Sequence, residues 1–237
     1  MLRWSLQLHK WIALVVGVQV LFWVLGGLVM TAIPIERVRS EHHVAEARPQ
    51  PLAFDAVLAP DKAAAVAGVR PVEATLKTTP RGPLWVFRTA DKATLAVDAR
   101  TGRPVPPLTG PQARAAAAGA YAGEGRPVAA RYFKAAPQET GKDGPLWRVD
   151  FDDAERTSFY VAPDTGEVVS RRSDLWRFYD FFWRLHIMDL KTGEDFNHPL
   201  LIAATALTLF VVLTGFILLW IRLARDFRTR RTDAAAP

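Results

Sequence analysis

The sequence predicts an α+β domain, built from two successive repeats, that is carried on a stem of two transmembrane helices. Two long apolar runs predict the stem, at residues 11–33 and 199–221. The tetrapeptide Gly-Pro-Leu-Trp occurs twice between them, at residues 82–85 and 144–147, and predicts a duplication. The fold class therefore follows from hydropathy and from internal repetition.

The first apolar run contains one strongly polar side chain, Gln19, within residues 11–33. About 20 apolar residues in a helix are enough to cross a bilayer core. The run lacks the polar face of an amphipathic helix, and its apolar stretch is longer than that of a signal peptide. Small-x-small cleavage residues are also missing after it, so we predict an uncleaved transmembrane helix that follows a short N-terminus, residues 1–10.

Positive charges flank both runs and predict the topology. Arg3 and Lys10 precede the first run, and five arginines follow the second within residues 222–237. Because basic residues stay in the cytoplasm, we expect both termini there and residues 36–198 in the periplasm, outside a bacterial inner membrane. These flanks account for much of the net charge of +6, and the basic tail is expected to contact the lipid bilayer, so nucleic acid is not an expected partner.

Small and polar residues of the two antiparallel spans fall at matching depths in the membrane. Small residues let membrane helices approach closely, and Gln19 and Thr214 lie near one level, where a hydrogen bond between them is expected. The alternative is that the same residues pack on a second copy in a homodimer. The predicted helix-packing residues are Gly17, Gln19, Gly26, Gly27, Thr214 and Gly215.

The two predicted repeats occupy residues 36–108 and 109–172. Each contains an Ala-rich helix, at residues 54–67 and 111–122, followed by an alternating strand pattern. Each Gly-Pro-Leu-Trp motif then opens a hairpin that ends in a Thr-Gly turn. A short third strand is expected after each turn, at Pro104-Val105 and Val168-Val169 in the two repeats.

Residues 95–103 and 159–169, which end each repeat around the Thr-Gly turn, resemble PepSY domains. Leu8-His9-Lys10-Trp11, Arg184-Leu185-His186 and Leu213-Thr214-Gly215 resemble the PepSY-associated transmembrane family. The resemblance implies a membrane accessory or binding protein linked to iron uptake or siderophore handling. A second association is regulation of peptides or proteases, because PepSY units are similar to segments of protease propeptides.

The same resemblance implies a haem alternative. Larger members with four spans are similar to haem-containing ferric-siderophore reductases, and His9 and His186 match the histidine motifs expected to bind haem b there. The predicted topology separates these two histidines by about 30 Å, whereas ligands of one haem lie about 4 Å apart. Haem would therefore require a partner or second copy, and an enzymatic role as a reductase component ranks behind the binding roles.

Three histidines on the predicted outer side, His42, His43 and His198, form a candidate metal site, because imidazole binds zinc, copper and iron. The alternative for His198 is a helix N-cap beside Asn197. The chain has no cysteine, which excludes thiolate sites and disulfides. No catalytic motif is present, so we predict no catalytic residue.

Residues 174–188 combine many aromatic side chains with arginines at helical spacing. Trp, Tyr and Arg favour the membrane interface, so this stretch predicts an amphipathic interfacial helix that Asp174 caps. The alternative is a helix that docks in a groove of another protein.

Overall fold

The protein is described from a computed structural model, which covers residues 2–45, 56–91 and 93–233. Mixed α+β architecture is confirmed, with two long apolar helices and two antiparallel sheets. The chain divides into two compact units. We call Met1–Pro34 with Phe178–Pro237 the stem unit, and Ile35–Arg177 the globular unit.

The stem unit contains α1 (Leu2–Ala32) and α6 (Pro199–Asp233). Within them, Lys10–Ala32 and Pro199–Phe227 are long and apolar enough to cross a membrane, as predicted. Both helices run beyond the predicted apolar spans into polar sequence, because adding a residue to an existing helix costs less than starting one. Helices α1 and α6 contact each other within the unit.

Gly26 is the buried member of the predicted packing glycines. A Cβ built on it would lie 3.4 Å from the Cβ and Nδ1 atoms of His186. Gly17, Gly27 and Gly215 have no atom within 4 Å of such a Cβ, so in the described residues they leave open surface. The predicted close packing between α1 and α6 is therefore not seen at these three glycines, and packing against a second copy stays the untested alternative.

The expected hydrogen bond between Gln19 and Thr214 is not formed. The Thr214 hydroxyl donates instead to the carbonyls of Phe210 and Val211, at 2.9 and 3.0 Å. A threonine on an apolar helix satisfies its hydroxyl on the preceding turn, which removes the need for a partner across the helix pair. Nε2 of Gln19 is buried and has no hydrogen-bond partner among the described residues.

The globular unit begins with α2 (Ile35–Val38) and then has two lobes, each a helix against an antiparallel sheet. The first lobe contains α3 (Pro60–Ala67) and the sheet β1-β2-β3, with strands Glu73–Thr79, Gly82–Arg88 and Thr94–Asp98. Ala63 and Ala64 pack on Phe87 and Val97, which are fully buried. Small helix residues let α3 lie close to the sheet.

The second lobe contains α4 (Gly110–Ala120) and a four-stranded sheet in the order β4-β5-β6-β7. Its core joins Ala113 and Ala117 of α4 to Val149, Phe159 and other apolar side chains of the sheet. The strands are Pro127–Phe133, Leu146–Phe151, Ser158–Val161 and Val168–Arg172.

The third strand differs between the lobes. The second lobe has the full strand β7, whereas Pro104 of the first lobe makes only an isolated bridge to Val97. Proline has no N–H to donate to a sheet, which accounts for the shorter pairing. The predicted first helix is also shorter: α3 begins at Pro60, and residues 54 and 55 of the prediction lie outside the described residues.

Helix α5 (Asp174–Ile187) follows β7, where an amphipathic helix was predicted. Ser173, and not Asp174, caps it, since the Ser173 hydroxyl accepts the Trp176 amide at 3.3 Å. The Asp174 carboxylate pairs instead with Arg156, at 2.6 Å, because it is the first residue inside the helix. The Asp174 amide donates to the Glu155 carbonyl at 2.9 Å, which fixes the end of the globular unit on the β5–β6 turn.

Candidate functional site

The globular unit carries a cleft of about 620 Å³ on its second lobe. Three separate stretches of chain meet around it: the turn after α2, the loop between α4 and β4, and the β5–β6 turn. The lining residues are His42, His43, Gly123, Glu124, Gly125, Arg126, Asp152, Asp153, Ala154 and Glu155.

Backbone hydrogen bonds hold the two adjacent histidines at this cleft. Ser40 has a φ of 53°, in the left-handed region, and the short 3-10 turn Glu41–His43 follows it. The His43 carbonyl then accepts the Ala122 amide, and the Ala45 amide donates to Ala120, both at 2.9 Å. The histidines are therefore fixed against the end of α4 by backbone pairing.

His43 is mostly buried beside Tyr121 and Asp153. The Tyr121 hydroxyl donates to Asp153 Oδ2 at 2.7 Å, and His43 Nδ1 lies 3.3 Å from that hydroxyl oxygen. Burial and the hydrogen bond to Asp153 raise the pKa of Tyr121. Burial also acts to raise the pKa of Asp153, but hydrogen bonds from Thr157 and Tyr121 outweigh it and hold that pKa below its usual value. Asp153 is therefore a carboxylate that orients the ring of His43 through Tyr121.

Glu155 connects the two histidines. Its Oε1 lies 3.4 Å from His42 Nε2, and its Oε2 lies 3.5 Å from His43 Nε2. These three side chains place one potential ligand atom each within 4.8 Å of one another. Oε2 is buried and has no hydrogen-bond partner among the described residues.

The cleft is acidic although the chain as a whole carries a net charge of +6. Glu124, Asp152, Asp153 and Glu155 bring carboxylates to its wall, and Arg126 brings a positive charge. An excess of carboxylates in a concave site raises the local concentration of cations. The chemistry of the lining therefore favours a cationic ligand.

His198, the third histidine of the predicted metal site, belongs to the stem unit and uses both ring nitrogens locally. Nδ1 accepts the Leu201 amide at 3.3 Å, and Nε2 lies 3.0 Å from the Ile187 carbonyl oxygen. This is the geometry of an N-cap for α6, the alternative that the sequence left open. The ring has no free nitrogen for a metal in this arrangement.

His186, a predicted haem ligand, lies against α1 within the stem unit. Its Nδ1 is 3.2 Å from the Trp23 carbonyl oxygen, and the Trp23 indole donates to the His186 carbonyl at 2.7 Å. His9 precedes Trp23 by fourteen residues on the same helix, which corresponds to about 21 Å along its axis. The two histidines of one chain therefore do not fit one haem, and the side chain of His9 lies outside what the structure describes.

Glu155 was not predicted as a site residue, because acidic residues in a hairpin turn are adequately explained by the turn itself. The available signal was a difference between the repeats. The second turn, Asp152-Asp153-Ala154-Glu155, carries three carboxylates, whereas its counterpart Ala90-Asp91-Lys92 carries one. Acidic residues that occur in only one of the two turns are not required by the fold that the lobes share, so they are candidates for a functional role.

Comparison with known proteins gives one match over nearly the whole chain. The family model described as the PepSY-associated TM region matches residues 6–236. No curated protein and no solved structure matches the chain.

Proposed function

This chain belongs to the PepSY-associated TM region family, and from that premise we propose that it is a membrane-anchored accessory protein that binds a cationic ligand for iron handling. The family and the two apolar helices fit a membrane protein, which contacts the lipid bilayer. In this proposal the globular unit faces the periplasm of a bacterial inner membrane and both termini are cytoplasmic. The acidic cleft on the second lobe is the observation that carries the binding role.

The two lobes are tandem PepSY-like units in this proposal. Their matched contacts support it: the indole of Trp85 donates to the Leu58 carbonyl at 3.0 Å, and that of Trp147 to Leu108 at 2.9 Å. Each leucine lies two residues before the helix of its lobe. Each of these tryptophans is also paired with a valine of the next strand, Val97 or Val161.

Helix α5 lies in the membrane interface in the same proposal. Phe178 and Phe181 are 49% and 57% exposed, which is unusual for phenylalanine on a water-facing helix. Arginine and tryptophan on the same helix are favoured where lipid headgroups meet the apolar core.

Equilibrium dialysis of the full chain in detergent tests the binding role. We expect the protein to retain iron, offered as Fe²⁺ and as a ferric chelate, more weakly as salt increases. The double variant Glu124→Gln/Asp152→Asn removes two charges from the cleft and is expected to lower the affinity by about threefold to tenfold at low salt. The control Asp61→Asn/Glu73→Gln removes two exposed carboxylates from the first lobe and is expected to bind as the parent does.

Failure to retain either form of iron would contradict the proposed role. Capture of an extended peptide in the cleft instead would favour the alternative, regulation of peptides or proteases. For the haem alternative, His9 and His186 would have to come from two copies, so a Soret band confined to a dimer fraction would support it.

A further inference from the structure

We propose that His42, His43 and Glu155 form a binding site for one first-row divalent transition-metal ion, with open coordination positions that face the cleft. The inference rests on the proposed function and deepens it, because it names the ion class and the ligands within the same cleft. The three residues come from two stretches of chain more than 100 positions apart, brought together by the docking of the turn after α2 on the second lobe.

The spacing of the ligand atoms fits such an ion. Ligands about 2.0 to 2.1 Å from a tetrahedral ion lie about 3.4 Å from one another. The two Nε2 atoms lie 3.4 and 3.5 Å from the oxygens of Glu155. The two imidazole rings are also close, with centroids 4.1 Å apart, and one ligand atom from each of the three residues lies within 4.8 Å of the other two.

The hydrogen bonds of His43 set its tautomer in the form a metal requires. Because the Tyr121 hydroxyl donates its proton to Asp153, its oxygen faces His43 as an acceptor, so the 3.3 Å contact is a hydrogen bond when Nδ1 of His43 carries the proton. Nε2 then carries a lone pair that faces Oε2 of Glu155. Histidine ligands of metals are held in this way by a carboxylate or another acceptor at the second ring nitrogen.

A cation is needed where these groups meet. A lone pair of His43 and a buried carboxylate oxygen with no hydrogen bond face each other at 3.5 Å, an arrangement that is repulsive without a positive charge between them. Either a proton or a metal ion supplies that charge. The surrounding carboxylates of the cleft, Glu124 and Asp152, add attraction that favours a doubly charged ion.

The ligand set narrows the class of ion and its use. Two imidazoles and one carboxylate suit zinc, copper and ferrous iron, and this combination with open positions is typical of non-haem Fe²⁺ sites. A structural zinc site is closed by four protein ligands, whereas three ligands leave at least one position open. The open side faces a cleft of about 620 Å³, which leaves room for an exchanging ligand beside the ion.

Titration of the full chain in detergent with Co²⁺, a spectroscopically visible substitute, tests the site. We expect one Co²⁺ per chain and displacement by Zn²⁺. The variants Glu155→Gln and His42→Ala are each expected to weaken Co²⁺ binding by about tenfold to 100-fold. The matched control Glu73→Gln removes an exposed carboxylate of the first lobe, outside the cleft, and is expected to bind Co²⁺ as the parent does.

Thermal unfolding separates loss of the site from loss of the fold. We expect Co²⁺ to raise the Tm of the parent protein and not that of Glu155→Gln, while the two proteins unfold at similar temperatures without metal. Absence of Co²⁺ binding, or unchanged binding in Glu155→Gln, would overturn the inference and leave a proton between His43 and Glu155. Retention of iron chelates without Co²⁺ binding would support the proposed function and overturn the metal site. Co²⁺ binding without retention of iron would support the metal site and contradict the proposed function.

Discussion

The two lobes share one arrangement of helix and sheet, yet only the second carries the candidate site. In the first lobe, the C-cap of α3 is Gly68, which has a φ of 69° in the left-handed region and therefore ends the helix with a turn. In the second lobe, Tyr121 ends α4 in an extended conformation that pairs with Val44. A change at one helix end thus creates a docking place for the chain that carries His42 and His43.

The turns of the two hairpins also differ, and again the second lobe is the one whose polar residue is held by neighbouring side chains. Asp91 in the first lobe is fully exposed and receives a hydrogen bond from Thr89, whereas Asp153 in the second is buried between Tyr121 and Thr157. The two lobes therefore have the helix-on-sheet core in common, and the residues of the candidate site lie in a helix end and a turn of the second lobe.

The largest effect that tests this comparison is loss of a core aromatic ring from each lobe. Phe87→Ala and Phe159→Ala remove fully buried side chains, and each is expected to lower the free energy of unfolding by about 3 to 5 kcal/mol. Phe159 also contacts the Tyr121 ring, with centroids 5.6 Å apart, so only its loss should weaken Co²⁺ binding. Chemical denaturation measures the free energy of unfolding, and titration of folded samples measures Co²⁺ affinity. If both variants lost Co²⁺ affinity equally, the core of the first lobe would also support the candidate site.

A smaller effect is expected from Tyr121→Phe, which keeps ring stacking on Phe151 and removes the hydroxyl bonded to Asp153. We expect about 1 to 2 kcal/mol less stability. Weaker Co²⁺ binding, by about tenfold, should follow because His43 loses its orienting partner. Tyr132→Phe, at an exposed tyrosine of β4, is the control, and a similar loss of Co²⁺ affinity there would argue against a positioning role for Tyr121.

The equivalence of the lobes is tested by Trp85→Phe and Trp147→Phe. Each removes an indole hydrogen bond to a leucine carbonyl, and we expect each to cost about 1 to 2 kcal/mol. Urea denaturation of the two variants provides the comparison. If only one of the two variants were less stable than the parent, the indole hydrogen bond would stabilise only one of the two lobes.

The smallest expected effect concerns pH. The pKa of Asp153 lies below its ordinary value of 3.8, so its ionised form stabilises the fold at neutral pH. That stability is present above the unfolded-state pKa and is lost as pH falls through the lower folded-state pKa. Melting temperatures of Asp153→Asn should therefore fall less than those of the parent as pH is lowered from 5 to values below 3.8, the ordinary pKa of aspartate.

The corresponding substitution in the first lobe, Asp91→Asn, serves as the comparison. A hydrogen bond from Thr89 also lowers the pKa of Asp91, but this side chain is fully exposed and its interactions are screened by solvent. We expect little change in the acid dependence of Tm for Asp91→Asn. An equal change in the acid dependence of Tm for Asp91→Asn and Asp153→Asn would mean that burial of Asp153 does not make its charge more important for stability.

Periodicity and repetition in the sequence were sufficient for the fold class. Apolar runs predict α1 and α6, and alternation predicts the hairpins, since these signals are local. The first lobe lacks a full third strand because Pro104 has no N–H to donate. The sequence shows this proline, but we expected a third strand there because the second repeat has one.

The site was only half predictable. His42 and His43 were identified by residue type, but their partner Glu155 lies 113 positions along the chain from His42, and no periodic pattern links them. His198 was grouped with them because all three were expected outside the membrane, whereas its ring caps α6. Such assignments depend on which backbone segments dock together, and this is decided by tertiary packing.

The β5–β6 turn has one further consequence. The chain that begins the globular unit reaches this turn through His42 and Glu155, and the chain that ends the unit is bonded to it through the Asp174 amide. A domain whose two ends meet can be inserted into a host sequence without forcing the flanking segments apart. The beginning and the end of the globular unit therefore meet at one turn, which is the geometry of an insertable domain.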